Sequence, residues 1–396
     1  MEEITLVSKP DINADLSHDE IRQGGLATEE MLINMGPQHP ATHGVLRVVL
    51  RTDGEMVLET VPHIGYLHRC AEKIGESLAP YQFIPYTDRM DYLAGMNNNL
   101  AYALAIEKLA GLEVSKRAQY IRIVASELNR IASHLVMFGT YGLDIGAFTP
   151  FLYAFREREW ILDLFESLCG ARLTYSYITI GGVTQDLPDR FIDLCEEFLD
   201  YFDPKIDEYN NLLSFNHIFV KRTADVGVIS AEDAVKWGLT GPCLRGSGVR
   251  WDLRKVEPNC GYEEFDFDIP IGQGLKGTVG DSWDRYFVRM EEMKQSVRII
   301  RQVLKKLRDT DGDVLHKKNR SVKLPEDEVY LEIENPRGQL GFYVQGNGTT
   351  VPARVKARGP CFNNLSITSH VCRGCLLADV GAILGSFDVV LGEVDR

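Results

Sequence analysis

The sequence lacks any apolar run long enough to cross a lipid bilayer. Its most apolar late stretch, Leu376 to Leu391, is interrupted by Asp379 and Asp388, whereas a transmembrane helix needs about 20 predominantly apolar residues. The first residues are acidic and lack the basic and apolar regions of a signal peptide. We therefore expect a chain that meets a membrane only through partner proteins or surface contact.

A surplus of positive charge is also missing. Lysine and arginine number 43 against 57 aspartates and glutamates, which gives a net charge of -14. Nucleic-acid binding depends on a concentrated basic surface that neutralises phosphates. The sequence also contains no nucleic-acid motif, so it predicts no nucleic-acid partner.

Cysteine is sparse, with eight residues in 396, and only Cys372 and Cys375 lie close together. Scattered cysteines in a chain of this size indicate reduced cytosolic thiols rather than a disulfide framework. One CxxC pair, even with His370 nearby, is weak evidence for a metal site, because structural metal sites need four ligands. No four cysteines have iron-sulfur spacing. The role of the CxxC pair is left open.

The segment from Gly36 to Gly44 is the most unusual stretch that is present, with two histidines, two prolines and two flanking glycines in nine residues. Proline fixes φ and glycine permits unusual backbone angles, so the segment is stiff in the middle and free to bend at its ends. Histidine titrates near neutral pH, and its neutral ring carries one donor and one acceptor. The pattern is typical of a structural turn or of a loop that holds imidazoles for proton chemistry or a polar ligand.

Strand patterns stand near both ends of the chain. Apolar residues in 45–50 and 56–58, on either side of Asp53 and Gly54, predict a β-hairpin. Further strands are expected in 329–333, 340–344 and 353–355.

Helical periodicity dominates the middle of the chain. The stretches 121–138 and 283–307 repeat apolar residues at spacings of three and four, as amphipathic helices do. Asp281 or Ser282 can cap the second helix. Further helices are expected in 98–112, 149–169 and 187–213 and near residue 396. The sequence thus predicts an α+β fold that is mainly α.

Four regions follow from these patterns. Residues 1–30 are predicted to be an extended arm, and 31–65 a β-rich region that carries the histidine loop. Residues 66–310 are predicted to form a helical core, and 311–396 a C-terminal α/β region with a polar linker near 308–325.

The glycines of 272–277 match the spacing of dinucleotide-binding loops, in which a helix N-terminus approaches a pyrophosphate. In such loops the helix opens within the glycines, whereas helical periodicity here begins only near Asp281. We therefore expect no dinucleotide site.

Six motifs together resemble one family. They are MGPQHPATHG (35–44), VPHIGYLHR (61–69), YTDRMDYL (86–93), ELNRIASHL (127–135), TPFLYAFRER (149–158) and GEVDR (392–396). In this order, over residues 31–396, the chain resembles the D (49 kDa) subunit of respiratory complex I, the NADH:quinone oxidoreductase. That family is similar in fold to the large subunit of nickel-iron hydrogenases, which implies a hydrogenase-like helical core with β-rich pieces at both ends.

The resemblance implies a quinone site. In this family the subunit carries no redox cofactor of its own. With the neighbouring B subunit it forms the cavity where quinone is reduced by the B subunit's terminal [4Fe-4S] cluster, coupled to proton translocation. By resemblance, His43 and Tyr92 would hydrogen-bond the quinone headgroup, and Asp144 would pair with His43. Arg69 would lie near the cluster, and His39 would be structural.

The same resemblance implies partners and a location. The partners would be other complex I subunits, especially the B, C and I subunits and the membrane H subunit, with quinone as substrate. The chain would act as part of an enzyme, peripherally on the cytoplasmic side of the bacterial inner membrane. Ubiquinone or menaquinone, the electron donor and the proton stoichiometry stay open. So do a pure scaffold role and a related ferredoxin- or formate-linked complex.

The hydrogenase relatives offer an alternative chemistry that the sequence can test. Their two metal-binding CxxC pairs would fall near 89–94 and 388–393, and neither place contains a cysteine. Nickel in such a site needs soft thiolate ligands. Hydrogenase activity is therefore excluded, and no metal site is expected.

One position departs from the family. A family histidine linked to protonation of the reduced cluster precedes the paired glycines Gly181 and Gly182, and here Thr174 stands at that place, with Thr179 in place of an arginine further on. Threonine cannot titrate. The pH dependence of the cluster potential is therefore expected to differ, and a redox titration with a full pH slope would contradict this.

Overall fold

The computed structural model describes residues 30–316 and 322–396. Its helices are α1 (Ala71–Gly75), α2 (Pro80–Thr87), α3 (Gly95–Ala110), α4 (Lys116–Asp144), α5 (Thr149–Cys169), α6 (Phe191–Tyr209), α7 (His217–Thr223), α8 (Ala231–Lys236), α9 (Pro242–Gly246), α10 (Leu253–Val256), α11 (Ser282–Leu307), α12 (Pro360–Ser366), α13 (Thr368–Val371), α14 (Leu377–Phe387) and α15 (Leu391–Asp395). Its strands are β1 (Glu30–Met35), β2 (Arg47–Asp53), β3 (Met56–His63), β4 (Ile178–Thr179), β5 (Gly182–Val183), β6 (Glu328–Asn335), β7 (Gly338–Gln345) and β8 (Arg354–Arg358). The predicted class, α+β and mainly α, is confirmed.

The predicted β-hairpin is confirmed as β2 and β3, and β1 adds a third antiparallel strand beside β2, with Met35 opposite Val48. Strand β1 has no alternating apolar pattern because it is an edge strand, where Met31 and Leu32 are half exposed. The histidine loop joins β1 to β2. Both of its ends are therefore held by one sheet.

Two long helices form the centre of the core. The predicted apolar stripes are confirmed in α4, with 29 residues, and α11, with 26. Asp281 is the N-cap of α11, and its carboxylate accepts the Asp284 N–H at 2.8 Å. The helix expected in 187–213 is α6, which continues into one π turn (Asn210–Ser214). Long, regular helices can hold polar groups in fixed places along their length.

A second hydrophobic cluster joins the N-terminal sheet to the last helices. Leu50 of β2 and Leu46, which precedes β2, belong to it together with Ile383 and Phe387 of α14. Helix α14 also lies against α4 and against the short 3-10 turn Pro40–Thr42. The histidine loop is thereby brought to the C-terminal end of α4.

The predicted C-terminal strands are confirmed as the antiparallel sheet β6-β7-β8. The predicted linker at 308–325 falls partly outside the described residues, as does almost all of the predicted arm 1–30. The region boundaries stay predictions.

Across the described ranges, none of the helices has both the length and the apolarity to span a membrane.

The glycine-rich stretch 272–277 lies in a loop, and α11 opens only after it. A Cβ at Gly272 would lie 1.8 Å from the Gly246 carbonyl oxygen, so this glycine permits a close backbone contact. The Gly274 N–H donates to the Asp284 carboxylate at 2.9 Å. The Asp284 carboxylate thus accepts a loop N–H that a bound phosphate would need.

Candidate functional site

The histidine loop is fixed by its own polar groups. His39 caps the short turn, because its Nδ1 accepts the Ala41 N–H at 3.2 Å. The Thr42 hydroxyl donates to the His39 carbonyl at 2.7 Å. His43 ends the turn with a left-handed backbone, φ +48°, which is uncommon for a residue with a Cβ. His39 therefore has a structural role, and His43 is held in one position.

His43 and Asp144 form a largely buried pair. The His43 Nε2 lies 2.5 Å from Asp144 Oδ2, and the two side chains are 15% and 4% exposed. Asp144 is the last residue of α4, where the helix dipole favours a nearby cation. Burial lowers the pKa of His43, but the hydrogen bond and charge of Asp144 outweigh burial, so the pKa is raised above its ordinary value. The pair therefore favours the imidazolium.

Gly385 makes room for this pair. A Cβ at Gly385 would lie 2.6 Å from Asp144 Oδ2 and 2.8 Å from the Tyr141 ring, closer than real Cβ atoms approach. The glycine therefore lets α14 lie directly against the carboxylate and exclude water from it.

A buried arginine joins the segments around the pair. Arg337 donates to Asp91 Oδ2 at 2.9 Å, to Asp388 Oδ1 at 3.2 Å and to the Ser133 hydroxyl at 2.9 Å. All four residues are buried. The charge of Asp388 raises the His43 pKa and that of Arg337 opposes it. Residues distant in sequence therefore meet at one charged cluster.

Tyr92 lies at the same charged cluster. Burial raises the pKa of its phenol, Arg337 opposes this, and Asp91 and Asp388 add to it. Tyr92 is 37% exposed, and its hydroxyl makes no hydrogen bond within residues 30–316 and 322–396. The charges of Arg337 and Asp388 therefore act on both Tyr92 and His43. The Tyr92 hydroxyl is free for a ligand.

Glu393 is a further acidic member of this cluster that sequence reasoning did not single out. It is buried, and its Oε2 accepts the Cys361 N–H at 3.0 Å. Burial, with the nearby charge of Asp91, raises the Glu393 pKa to about 7. The cluster can therefore hold a proton at neutral pH.

Residues 89–94 and 388–393, which lack the cysteine pairs that a hydrogenase would need, lie together in the structure. A Cβ at Gly392 would lie 2.7 Å from the Met90 carbonyl oxygen, so the segments are in contact. Between them stands the Arg337 cation, paired with Asp91 and Asp388. Within the described ranges, no three His, Cys, Asp or Glu side chains are grouped to hold a metal ion. A guanidinium with carboxylates does not suit nickel.

Arg69 lies to one side of the pair. Its guanidinium donates to the Arg89 carbonyl at 2.6 Å, and its N–H donates to the Arg396 carbonyl at 2.9 Å. The side chain is exposed, and it makes no hydrogen bond to the His43–Asp144 pair among the described residues. The structure therefore leaves the Arg69 side chain exposed at the surface.

The Thr174 segment carries a titratable neighbour. Thr174 has a left-handed backbone, φ +55°, and its hydroxyl donates to the Leu173 carbonyl at 2.6 Å. Two residues on, the Ser176 N–H and hydroxyl donate to Asp88 Oδ2 at 2.9 and 2.7 Å. Burial raises the Asp88 pKa to about 6. The changed pH dependence expected from Thr174 stays a prediction.

Comparison with known proteins places the chain in a family. The family model of the respiratory-chain NADH dehydrogenase 49 Kd subunit matches residues 144–322 and 315–396. The NADH-quinone oxidoreductase D subunit of Chlorobium luteolum is 52% identical over 373 residues, 94% of each chain. The Bacillus cereus D subunit is 51% identical over 93% of this chain and 100% of its own, and the one from Chlorobium phaeovibrioides is 48% identical over 100% of both. The chain therefore belongs to the 49 kDa (D) subunit family of the respiratory-chain NADH:quinone oxidoreductase.

Proposed function

We propose that this chain, with the neighbouring B subunit, forms the cavity in which quinone is reduced, and that His43, Asp144 and Tyr92 act at the quinone headgroup. The electrons would come from a [4Fe-4S] cluster of the B subunit, and reduction would be coupled to proton translocation. The observation that carries the proposal is the buried His43–Asp144 pair at 2.5 Å, which shares its charged neighbours with a tyrosine whose hydroxyl is free.

The protonation state of His43 decides what it can offer a quinone. Its Nε2 is engaged by Asp144, which leaves Nδ1 for a ligand. In a neutral ring that donates from Nε2, Nδ1 is only an acceptor, as a quinone carbonyl also is. The imidazolium donates from both nitrogens, so recognition of a carbonyl requires the charged ring. The raised pKa of His43 supplies that form.

Proton transfer from Nδ1 leaves a neutral ring that still donates from Nε2 to Asp144. The pair thus changes charge without losing its hydrogen bond. Tyr92 would donate to the other carbonyl, and its raised pKa keeps the phenol protonated until a strongly basic reduced oxygen forms. Glu393, with a pKa of about 7, is a carboxyl on the same cluster that can hold a replacement proton.

The surroundings complete the proposal. The B, C and I subunits and the membrane H subunit would be the partners, on the cytoplasmic side of the bacterial inner membrane. The exposed Arg69 cation would lie near the B subunit's cluster and stabilise its reduced state.

Tyr92→Phe in the assembled complex tests the proposal. Removing a positioned proton donor should lower NADH:quinone reductase activity by about two orders of magnitude or more. NADH:ferricyanide activity, which reports an assembled electron-input module, should persist. Tyr330→Phe is the matched control, because Tyr330 is similarly exposed at 44% but lies in the C-terminal sheet.

His43→Ala should give the same pattern. If quinone reduction persists in both variants, the headgroup binds elsewhere, and these residues belong to a scaffold. That outcome would leave the family assignment intact.

A further inference from the structure

Cys372 and Cys375 lie outside the cluster described above and face each other across a tight turn. The Cys375 N–H donates to the Cys372 carbonyl at 3.3 Å, and Gly374 has φ +79°. A turn of this kind holds the Cα atoms of residues three apart within about 7 Å. Disulfides join Cα atoms about 4.4–6.8 Å apart. The backbone thus already holds the two cysteines at bridging distance.

The two thiols differ in exposure and in acidity. Cys372 is buried, and Cys375 is half-buried. The neighbouring Cys372 thiol lowers the Cys375 pKa, against the effects of burial and of the charge of Asp379. The neighbouring Cys375 thiol, together with burial, raises the Cys372 pKa. Cys375 is therefore the more accessible and more acidic thiol, and Cys372 is its buried partner.

We propose that Cys372 and Cys375 form a redox-active dithiol that is oxidised to a disulfide by exchange with a small anionic disulfide of the glutathione type. The Cys375 thiolate attacks one sulfur of the small disulfide, whose S–S bond breaks, and the released thiolate takes up a proton. Cys372 then loses its proton and attacks the Cys375 sulfur, which releases the second small thiol. Two cysteine thiols lose two electrons and two protons, and one disulfide becomes two thiols.

A shallow cavity beside the turn suits an anionic disulfide. It has a volume of about 250 Å³ and is lined by Arg51, Arg373, Gly374 and residues 56–58. The Arg51 cation is paired with glutamates, whereas Arg373 makes no ion pair within the described ranges. Arg373 is therefore free to attract carboxylates of the oxidant next to Cys375.

The turn is attached to the elements that build the candidate site. The Gly374 N–H donates to the Val57 carbonyl at 2.7 Å, and the Val57 N–H donates to the Cys375 carbonyl at 2.9 Å. Helix α14 begins two residues after Cys375 and carries Gly385 to Asp144. The dithiol therefore lies next to the N-terminal end of α14, the helix that covers Asp144.

Redox equilibration of the assembled complex in membranes tests the proposal. Membranes are incubated in defined mixtures of reduced and oxidised glutathione, quenched with acid, alkylated and digested, and the cysteine states are counted by mass spectrometry. The ratio of disulfide to dithiol should follow a two-electron dependence, tenfold for each 30 mV or so. Cys70, which is exposed and has no cysteine at bridging spacing, is the internal control and should form only a mixed disulfide.

Two outcomes would overturn the proposal. One is that both cysteines remain free thiols in mixtures that fully glutathionylate Cys70. The other is a Cys372–Cys375 disulfide that none of these mixtures reduces, because such a bond is structural. Neither readout depends on quinone reduction, so the proposed function can fail while this proposal stands.

Single substitutions test the order of attack. Cys372→Ser should trap Cys375 as a mixed disulfide with glutathione, because the second attack is removed. Cys375→Ser should leave Cys372 unmodified, because Cys372 is buried. The reverse pattern would contradict the assigned roles.

Discussion

Replacing Asp144 with asparagine should favour the neutral form of His43, while the side chain at position 144 keeps its shape. The pair joins Nε2 and Oδ2 at 2.5 Å, and both groups are largely shielded from water. A hydrogen bond to a charged group contributes about 1.5–3 kcal/mol. Because 1.4 kcal/mol is a factor of ten in an equilibrium, the ratio of imidazolium to neutral His43 should fall roughly 10- to 150-fold at a given pH.

The loss of quinone reductase activity in the Asp144→Asn variant should depend on pH in a defined direction. The pKa of His43 is raised in the folded chain, so the stabilisation from the pair is complete below a pH of about 6.5 and is lost as pH rises through the raised value. In the Asp144→Asn variant, quinone reductase activity should therefore fall most at neutral and higher pH and partly recover in acid, where His43 is protonated without help.

Carbethoxylation of His43 by diethyl pyrocarbonate, followed by peptide mass spectrometry on membranes, gives a second readout. Only the neutral ring reacts, so the variant should be modified faster than the parent near neutral pH. Asp379→Asn is the control, because Asp379 pairs with Arg222 at 3.1 Å and not with a histidine. Equal His43 reactivity and equal pH profiles in the parent and both variants would refute the reasoning.

Two further substitutions probe the surroundings. Gly385→Ala should displace Asp144 and lower the free energy of unfolding by about 1–3 kcal/mol through overpacking. Gly381→Ala, whose Cβ would meet only Ala41 at 3.4 Å, should cost less; equal thermal shifts would contradict this. Glu393 has a pKa of about 7 in the folded chain. The contribution of the protonated Glu393 to the free energy of unfolding is therefore complete below a pH of about 4.5. It is lost as pH rises through 7, by up to about 3 kcal/mol. Glu393→Gln should therefore flatten the pH dependence of unfolding in urea, followed by proteolysis; a curve parallel to that of the parent would count against a protonated Glu393.

The core helices could be predicted because the buried face of an amphipathic helix requires an apolar residue every three or four positions. The stripes of α4 and α11 are of this kind. Strand β1 could not be predicted in this way, because an edge strand with exposed Met31 and Leu32 has no alternation to detect.

The charged cluster was harder to predict because its members come from distant parts of the chain. His43 and Asp144 are 101 residues apart, and only the family resemblance suggested their pairing. Arg337 is 246 residues from Asp91, and nothing near it in sequence marks it. Asp388 did carry a signal. It interrupts an apolar stretch, and a charge there is costly unless a buried partner neutralises it.

The large sequence separations between the residues of the charged cluster also determine when the cluster can form. A chain grows by about 5–20 residues per second during synthesis. Asp388, which lies 345 positions after His43 (388 − 43), is therefore made roughly 20 to 70 s later. For most of that interval the histidine loop exists without Arg337, and for nearly all of it without α14 or the shielding at Gly385. Formation of the His43–Asp144 environment is thus a late event in folding, and tight ligand binding there would report that folding of the chain is complete.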